Sequence, residues 1–296
     1  DEPCAVVLTP TGGLARLPGD APPAEPGQGR SDSWRSWAPT TTRGQVLVIT
    51  SDGLAHRLPV DSLPSLARSE LGQSLAGTIP AADLVADLAP GASVVGLCAP
   101  ESEELLALGT RSGVVKRVRP DWPTNRDSWP VITLEEGDEV VGATSSNETN
   151  FAVFITRAAQ LLKFPISAVR PQGPPAGGMA GIRLADGDEV VFFGAVEETP
   201  TATVVTISEP SGGLPGTTPG TAKWTALEEF PAKGRATMGV RAQRFLKGED
   251  QLRIGWAGSF HPRAITSAGT PVTLPQEAGR RDGSGDPLKG VVEFVA

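Results

Sequence analysis

Apolar residues in this chain come in runs of four or five, each followed by a short polar turn and a second apolar run. Val46 to Leu58, VLVITSDGLAHRL, is the plainest case. Its alternation is two-fold rather than 3.6-fold, which predicts strand, turn and strand instead of helix. The turns carry Ser-Asp-Gly at 51–53 and Thr-Gly-Gly at 11–13, supplying the φ > 0 residue that a tight hairpin needs. The same unit is legible at Ala5 to Leu17, Leu105 to Val118 and Phe151 to Phe164. Two looser copies follow, Ala202 to Ser208 joined across a Gly/Pro-rich insert to Gly220 to Thr225, and Arg263 to Leu274.

A second pattern sits between the hairpins. LEEGDEVVGA (Leu134 to Ala143) returns as LADGDEVVFFGA (Leu184 to Ala195), with Gly187 fifty residues after Gly137. A turn feeding a buried strand explains it, so Asp138 and Asp188 read as turn formers rather than catalytic carboxylates. The Thr of each hairpin falls at 9, 50, 110, 156, 206 and 266, at spacings of 41, 60, 46, 50 and 60. A period near fifty built from short strands and Gly turns predicts an all-β, propeller-like ring. One body of six blades is expected, at about 1–45, 46–104, 105–150, 151–201, 202–258 and 259–296.

Gly 35 and Pro 28 together make 63 of 296 residues, about 21%, turn-rich but below the level of about 25–30% where disorder becomes the default. No apolar run is long enough to span a bilayer as a helix, and the chain opens at Asp1 without a leader. It therefore reads as a soluble piece of something longer, without a membrane partner. Cys4 and Cys98 are too few and too far apart for a disulfide framework or a metal site. They fit buried small hydrophobes in a reducing cytoplasm.

Enzyme signatures are missing. There is no Walker-type Gly-Lys-Ser/Thr, no GxGxxG and no G-x-S-x-G, and GQSLAG (Gly72 to Gly77) has the wrong spacing for a nucleophile elbow. His56 and His261 are isolated, and the chain holds no Tyr. No cofactor, metal or catalytic residue is expected. Trp34, Trp37, Trp122, Trp129, Trp224 and Trp256 read as packing residues rather than base-stacking platforms.

The ordered series of apolar strand, T..G...R/K, loop and G(V/I)R...L..GDEVV resembles the C-terminal domain of the A subunits of DNA gyrase and bacterial topoisomerase IV. The resemblance covers essentially the whole chain and is clearest in Phe151 to Val196 and Val46 to Arg57. It implies a six-bladed β-pinwheel, four-stranded antiparallel blades exchanging hairpins, whose outer rim binds and bends duplex DNA. It further implies a non-catalytic part of an ATP-dependent type IIA topoisomerase, working in the bacterial cytoplasm at the nucleoid. The expected partners are double-stranded DNA through its backbone, the full-length A subunit dimer and an ATPase B subunit, with the cleaving Tyr in a domain absent here. The rival class is a propeller-like scaffold recognising protein or carbohydrate, which would bind independently of salt.

Gyrase subunits of this family carry a basic box reading roughly QRRGGKG in the first blade. Here the corresponding loop, Pro18 to Trp37, has only Arg30 and Arg35 positive, with Asp20 and Glu25 opposing them. The nearest echoes are PQGPPAGGMAG (Pro171 to Gly181) and AKGRATMG (Ala232 to Gly239). A topoisomerase IV-like or divergent subunit is the expectation.

Net charge is −8, yet cations recur just after the hairpin turn: Arg16, Arg57, Lys116, Arg117, Arg119, Lys163 and Lys223. On a ring, equivalent positions face equivalent directions, which predicts a band of phosphate contacts. Arg170, Lys233, Arg235, Arg241 and Arg244 form a second expected set in the loops and outer strands that follow. Acidic turns at 101–104, 135–139 and 186–189 are expected on other edges, keeping the basic band free to bind DNA.

Overall fold

The computed structural model describes residues 1–23, 34–67, 77–86, 88–212 and 217–296. All of its main elements are strands, gathered in six small sheets. Two compact units are distinguished: Asp1–Leu108 with Lys116–Ser145 and Pro171–Gly178, and Gly109–Val115 with Ser146–Arg170 and Met179–Ala296.

Each sheet is built on a hairpin whose first strand also takes a return strand on its other side. In the first unit, Pro3–Leu8 lies between Gly13–Pro18 and Ser36–Thr41, and Gln45–Thr50 lies between Leu54–Pro59 and Val94–Cys98. The third sheet pairs Leu105–Thr110 with Val114–Val118 and Val140–Ser146, its residues divided between the units. In the second unit, Phe151–Thr156 lies between Gln160–Pro165 and Val190–Val196, and Thr203–Glu209 between Thr221–Ala226 and Gln251–Gly258. The last sheet is smaller, with Ala264–Ile265 between Pro271–Val272 and Phe294–Val295.

The strand flanking each hairpin's second member comes from further along the chain, after the next sheet's hairpin. Ile79–Pro80 joins the first sheet, Ser128–Pro130 the second, Pro171–Gln172 and Met179–Ala180 the third, Val240–Arg241 the fourth and Asp286–Pro287 the fifth. What is exchanged is thus a strand of two or three residues on a long loop. The expected four strands per blade hold for four sheets, while the third has five and the last has three.

The anchoring Thr has a physical reason in four of the six copies. Its Oγ1 accepts the N–H four residues on, closing the hairpin turn at Thr9–Gly13 (2.9 Å), Thr110–Val114 (3.1 Å), Thr156–Gln160 (3.2 Å) and Thr266–Thr270 (3.2 Å). In the second sheet Thr50 instead donates to Asp52 and contacts His56 Nε2 at 3.3 Å. The fifth sheet corrects the expectation at Thr206, which stands opposite Lys223 within the sheet, while Ser208 takes the place beside the bulge. The left-handed turn position is Gly at 12, 53, 113 and 269, but Ala159 (φ 59) in the fourth sheet. There the hairpin forms without glycine, against the usual cost of φ > 0 for a residue with a Cβ.

The GDEVV turns are structural as expected. Asp138 Oδ1 accepts from Glu139 N, and Asp188 Oδ1 accepts from both Glu189 N and Ala158 N, each at 2.9 Å. The strands they lead into dock on the preceding sheet's hairpin, Val140 N donating to Ser51 O and Val190 N to Arg111 O. Inside the second unit, Phe154 is fully buried against Phe193 (4.8 Å between centroids) and Phe164 (6.3 Å). Two glycines make room: a Cβ on Gly109 would lie 2.1 Å from Phe193, and one on Gly181 would lie 2.7 Å from Phe154. The tryptophans pack as expected, Trp129 being buried beside Trp122 and the Trp224 indole N–H donating to Pro275 O at 2.8 Å.

Candidate nucleic-acid interface

The post-hairpin cations do not share one face. Successive strand residues point to opposite sides of a sheet, and register sorts these side chains into two sets. Arg16, Arg57 and Lys163 stand opposite Val6, Leu47 and Val153, and Arg117 holds the same place seven residues after its Thr. Lys116 and Lys223 belong one residue earlier, in register with His56 and Leu162, the latter facing Phe154 as Lys223 faces Thr206.

Burial corrects the expected phosphate band. Lys116, Arg117, Lys163 and Lys223 are 0%, 2%, 3% and 3% exposed, and a phosphate cannot reach a cation covered by its own loops. Lys163 pairs with Glu198, donates to Leu227 O at 3.2 Å and sits over the Phe151 ring. Arg57, half-buried, donates to Gln45 Oε1 and Pro123 O and lies 5.1 Å above Trp129. Arg16 is also half-buried, its backbone bridged to Ser65.

Lys116 and Lys223 solve one problem twice. Lys116 Nζ donates to Val131 O (2.7 Å), Pro174 O (2.5 Å) and Ala176 O (2.6 Å). Lys223 Nζ donates to Ala242 O, Arg281 O (2.5 Å) and Arg280 O (2.9 Å), with Gly283 O at 3.4 Å. An ammonium has three donors, so each is spent on carbonyls of two successive exchange loops. Burial pulls each amine down to about 8, opposed at Lys223 by Asp282 and reinforced by Arg281. Both remain ammonium at neutral pH. In the second sheet His56 takes this place, with burial lowering its pKa against the pull of Asp52.

The second expected set does reach the surface. Arg170, Lys233, Arg241 and Arg244 are exposed and Arg235 half-buried, and of the first set Arg119 is exposed as well. The exchange loop from Pro231 to Arg244 carries four of them and no carboxylate. Lys233 Nζ donates to Gly239 O at 3.2 Å, and Arg235 Nη1 reaches Ala180 O. Beside this loop lies 280–283, joined by Arg244 N to Gly283 O (2.9 Å) and Arg281 Nη1 to Arg241 O (3.1 Å). Arg280 and Arg281 were not among the expected residues. The Gly-Arg-Arg run is visible in sequence, but the weak last repeat hides its place beside Arg241.

The expectations on Arg30, Glu25 and GQSLAG fall wholly or largely outside the described residues. Cys4 and Cys98 are buried free thiols, and burial pushes Cys98 up to about 12. Among the described residues no group of three or more His, Cys, Asp or Glu could hold a metal ion, and no helix is long and apolar enough to cross a membrane.

The family model for the DNA gyrase C-terminal domain, a β-propeller, matches residues 44–97, 130–147, 150–197 and 217–253. The DNA gyrase A subunit of Kosmotoga olearia is 32% identical over 209 residues, 68% of this chain and 24% of that protein. The DNA gyrase A subunit of Mycobacterium leprae is 28% identical over 269 residues, 85% of this chain and 19% of that protein. The chain thus spans about a quarter or less of these two relatives. Among solved structures, the C-terminal domain of a DNA topoisomerase IV superposes with a TM-score of 0.73 at 21% identity, covering 100% of this chain and 93% of that one. A DNA gyrase A C-terminal domain gives 0.64 at 16% identity, with 99% of each chain covered. With the repeated hairpins, the exchanged strands and a family match over more than half its length, the chain belongs to the DNA gyrase C-terminal domain family, a β-propeller.

Proposed function

We propose that this domain binds duplex DNA along its cationic exchange loops and bends it for a type IIA topoisomerase whose cleaving Tyr lies elsewhere. In that reading it serves the A subunit dimer and its ATPase B subunit partner without doing chemistry itself. The observation that carries it is the carboxylate-free, cationic loop from Pro231 to Arg244, lying beside Arg280 and Arg281. Phosphate contacts need charge at intervals rather than a shaped pocket. Bending costs on the order of 1–6 kcal/mol per 20–30 base pairs, so contacts must continue along the path. The Pro-rich stretch in place of the basic box has only Arg30 and Arg35, opposed by Asp20, Glu25 and Asp32. DNA therefore engages the later sheets and leaves before completing a positive crossing.

The test is a salt titration of duplex binding. Lys233, Arg235, Arg241, Arg244, Arg280 and Arg281 at about 0.9 each predict a log K against log salt slope of about −5, with little sequence preference. A flat response would remove the DNA reading and favour a scaffold for other partners. Ligation of nicked circular plasmid on the domain should trap little positive superhelicity, and strong positive wrapping would refute the box argument.

A further inference from the structure

We infer that Lys223 is a positioning residue for DNA: from inside the fold it clamps the backbone of 280–283 and thereby presents Arg280 and Arg281 beside Arg241 and Arg244. The inference rests on the DNA-binding reading above and goes beyond it by assigning a role to a side chain that no phosphate can touch.

The loop is built around this lysine. Gly279 passes so close that a Cβ there would lie 2.4 Å from Lys223 Cγ, and Gly279 is tied down by its N–H to Trp224 O (2.8 Å) and its carbonyl to Thr225 Oγ1 (3.1 Å). Beyond it, the carbonyls of Arg280, Arg281 and Gly283 turn inward onto Nζ, together with Ala242 O from the neighbouring loop. Carbonyl oxygens converging on one point repel one another and leave water behind. A cation among them removes both costs, whereas an apolar side chain leaves buried acceptors unpaired. Because the carbonyls point in, the two arginine side chains point away from the lysine, Arg280 to solvent and Arg281 across to Arg241 O.

Two internal comparisons separate this role from plain packing. Lys116 makes the same clasp, holding the uncharged segment Pro174 to Ala176 and, in the loop before it, only Val131 O, which lies four residues past Asp127 and five past Arg126. In the fourth sheet the position is Leu162, and the adjacent cationic loop is held by other means: Ala236 N to Gly181 O, Arg183 N to Thr237 O and Arg235 Nη1 to Ala180 O. Leucine is therefore compatible with this fold where no inward-facing carbonyls need a cation.

The experiment measures duplex binding across salt concentrations for wild type, Lys223→Met, Lys223→Leu, Lys116→Met, Arg280→Ala/Arg281→Ala and the combination of the last with Lys223→Met. Circular dichroism and melting accompany each, and Lys223→Leu stands in if the Met variant does not fold. Lys223→Met and the double-arginine variant should each make the slope less negative by about 1.8, two contacts at about 0.9 each. The combination should lose no more than either alone, and Lys116→Met should bind as wild type. The inference is overturned if a folded Lys223 variant keeps the wild-type slope and affinity. It is equally overturned if its loss adds in full to that of the double-arginine variant, because the effect then does not pass through those arginines. A flat salt response in the wild type would instead strike the DNA-binding reading on which the inference rests.

Discussion

Raising the pH should make this domain more stable over a window where most proteins weaken, and the two buried lysines are the reason. Lys116 and Lys223 are lowered from 10.5 to about 8 in the folded chain and return to the ordinary value when it unfolds. Between about pH 8 and 10.5 the unfolded chain therefore binds more protons than the folded one, and stability rises with pH. The contribution is fully present above 10.5 and is lost as pH falls through about 8. A difference of 10.5 against about 8, at about 1.36 kcal/mol per unit, sets an upper scale of about 3 kcal/mol for each lysine. Cys98 works in the opposite direction: its thiol, raised to about 12 by burial, stabilises the fold below pH 9 and loses that contribution as pH climbs. It is common to wild type and variant, so it cancels in a difference. The assay is denaturant unfolding at pH 7 to 10.5 for wild type and the Lys116→Met/Lys223→Met variant. Removing the ammonium groups leaves their carbonyl acceptors unpaired at every pH, a cost of about 1–3 kcal/mol per site, which offsets the two curves without changing their slopes. The wild-type advantage should grow by a few kcal/mol across the window. A constant difference from pH 7 to 10.5 would refute the reasoning, because the lysines would then titrate alike in both states.

Phe154→Ala should destabilise the second unit by about 3–5 kcal/mol, since Phe164, Phe193 and Gly181 close around that ring; chemical denaturation would check it, and a loss under 1 kcal/mol would mean that the site collapses freely. Cys4 and Cys98, both buried, should resist a thiol-reactive chromophore in the folded protein and react together on unfolding, and fast labelling of either under native conditions would contradict that burial. Replacing Glu198 with Gln should weaken the fold without altering the salt slope of DNA binding, because its partner Lys163 is 3% exposed; a change in slope would return Lys163 to the interface.

Much of this architecture is written in local terms. Two-fold alternation, a Thr four residues before a strand's first N–H, and Gly at the left-handed turn position serve a single hairpin, so they recur in sequence in most of the hairpins, with Ala159 a departure at the turn. GDEVV recurs likewise, because its Asp accepts the next residue's N–H within its own turn. A further local signal is fainter: PVDSL, PISAV and ALEEF each end the hairpin in one turn of 3-10 helix, burying Val60, Ile166 and Leu227. It carries no strong composition cue, since only the spacing of its two apolar residues is shared.

Which cations meet solvent is a property of the assembled fold. Adjacent residues such as Lys116 and Arg117 look equivalent in a charge count, but the pleat sends them to opposite faces and loops arriving from the next sheet then cover both. Whether such a loop passes over a strand depends on contacts about sixty residues apart, as between Lys223 and Arg280 to Gly283, and no local pattern encodes them. That the chain is a series of β-hairpins of a recognisable family follows from its residues in order, because hydrogen bonds and turn geometry within a few positions suffice for that. The exchanged strands settle the rest, covering Lys116, Arg117, Lys163 and Lys223 among the regular cations and leaving the irregular ones, from Lys233 to Arg244 with Arg280 and Arg281, at or near the surface.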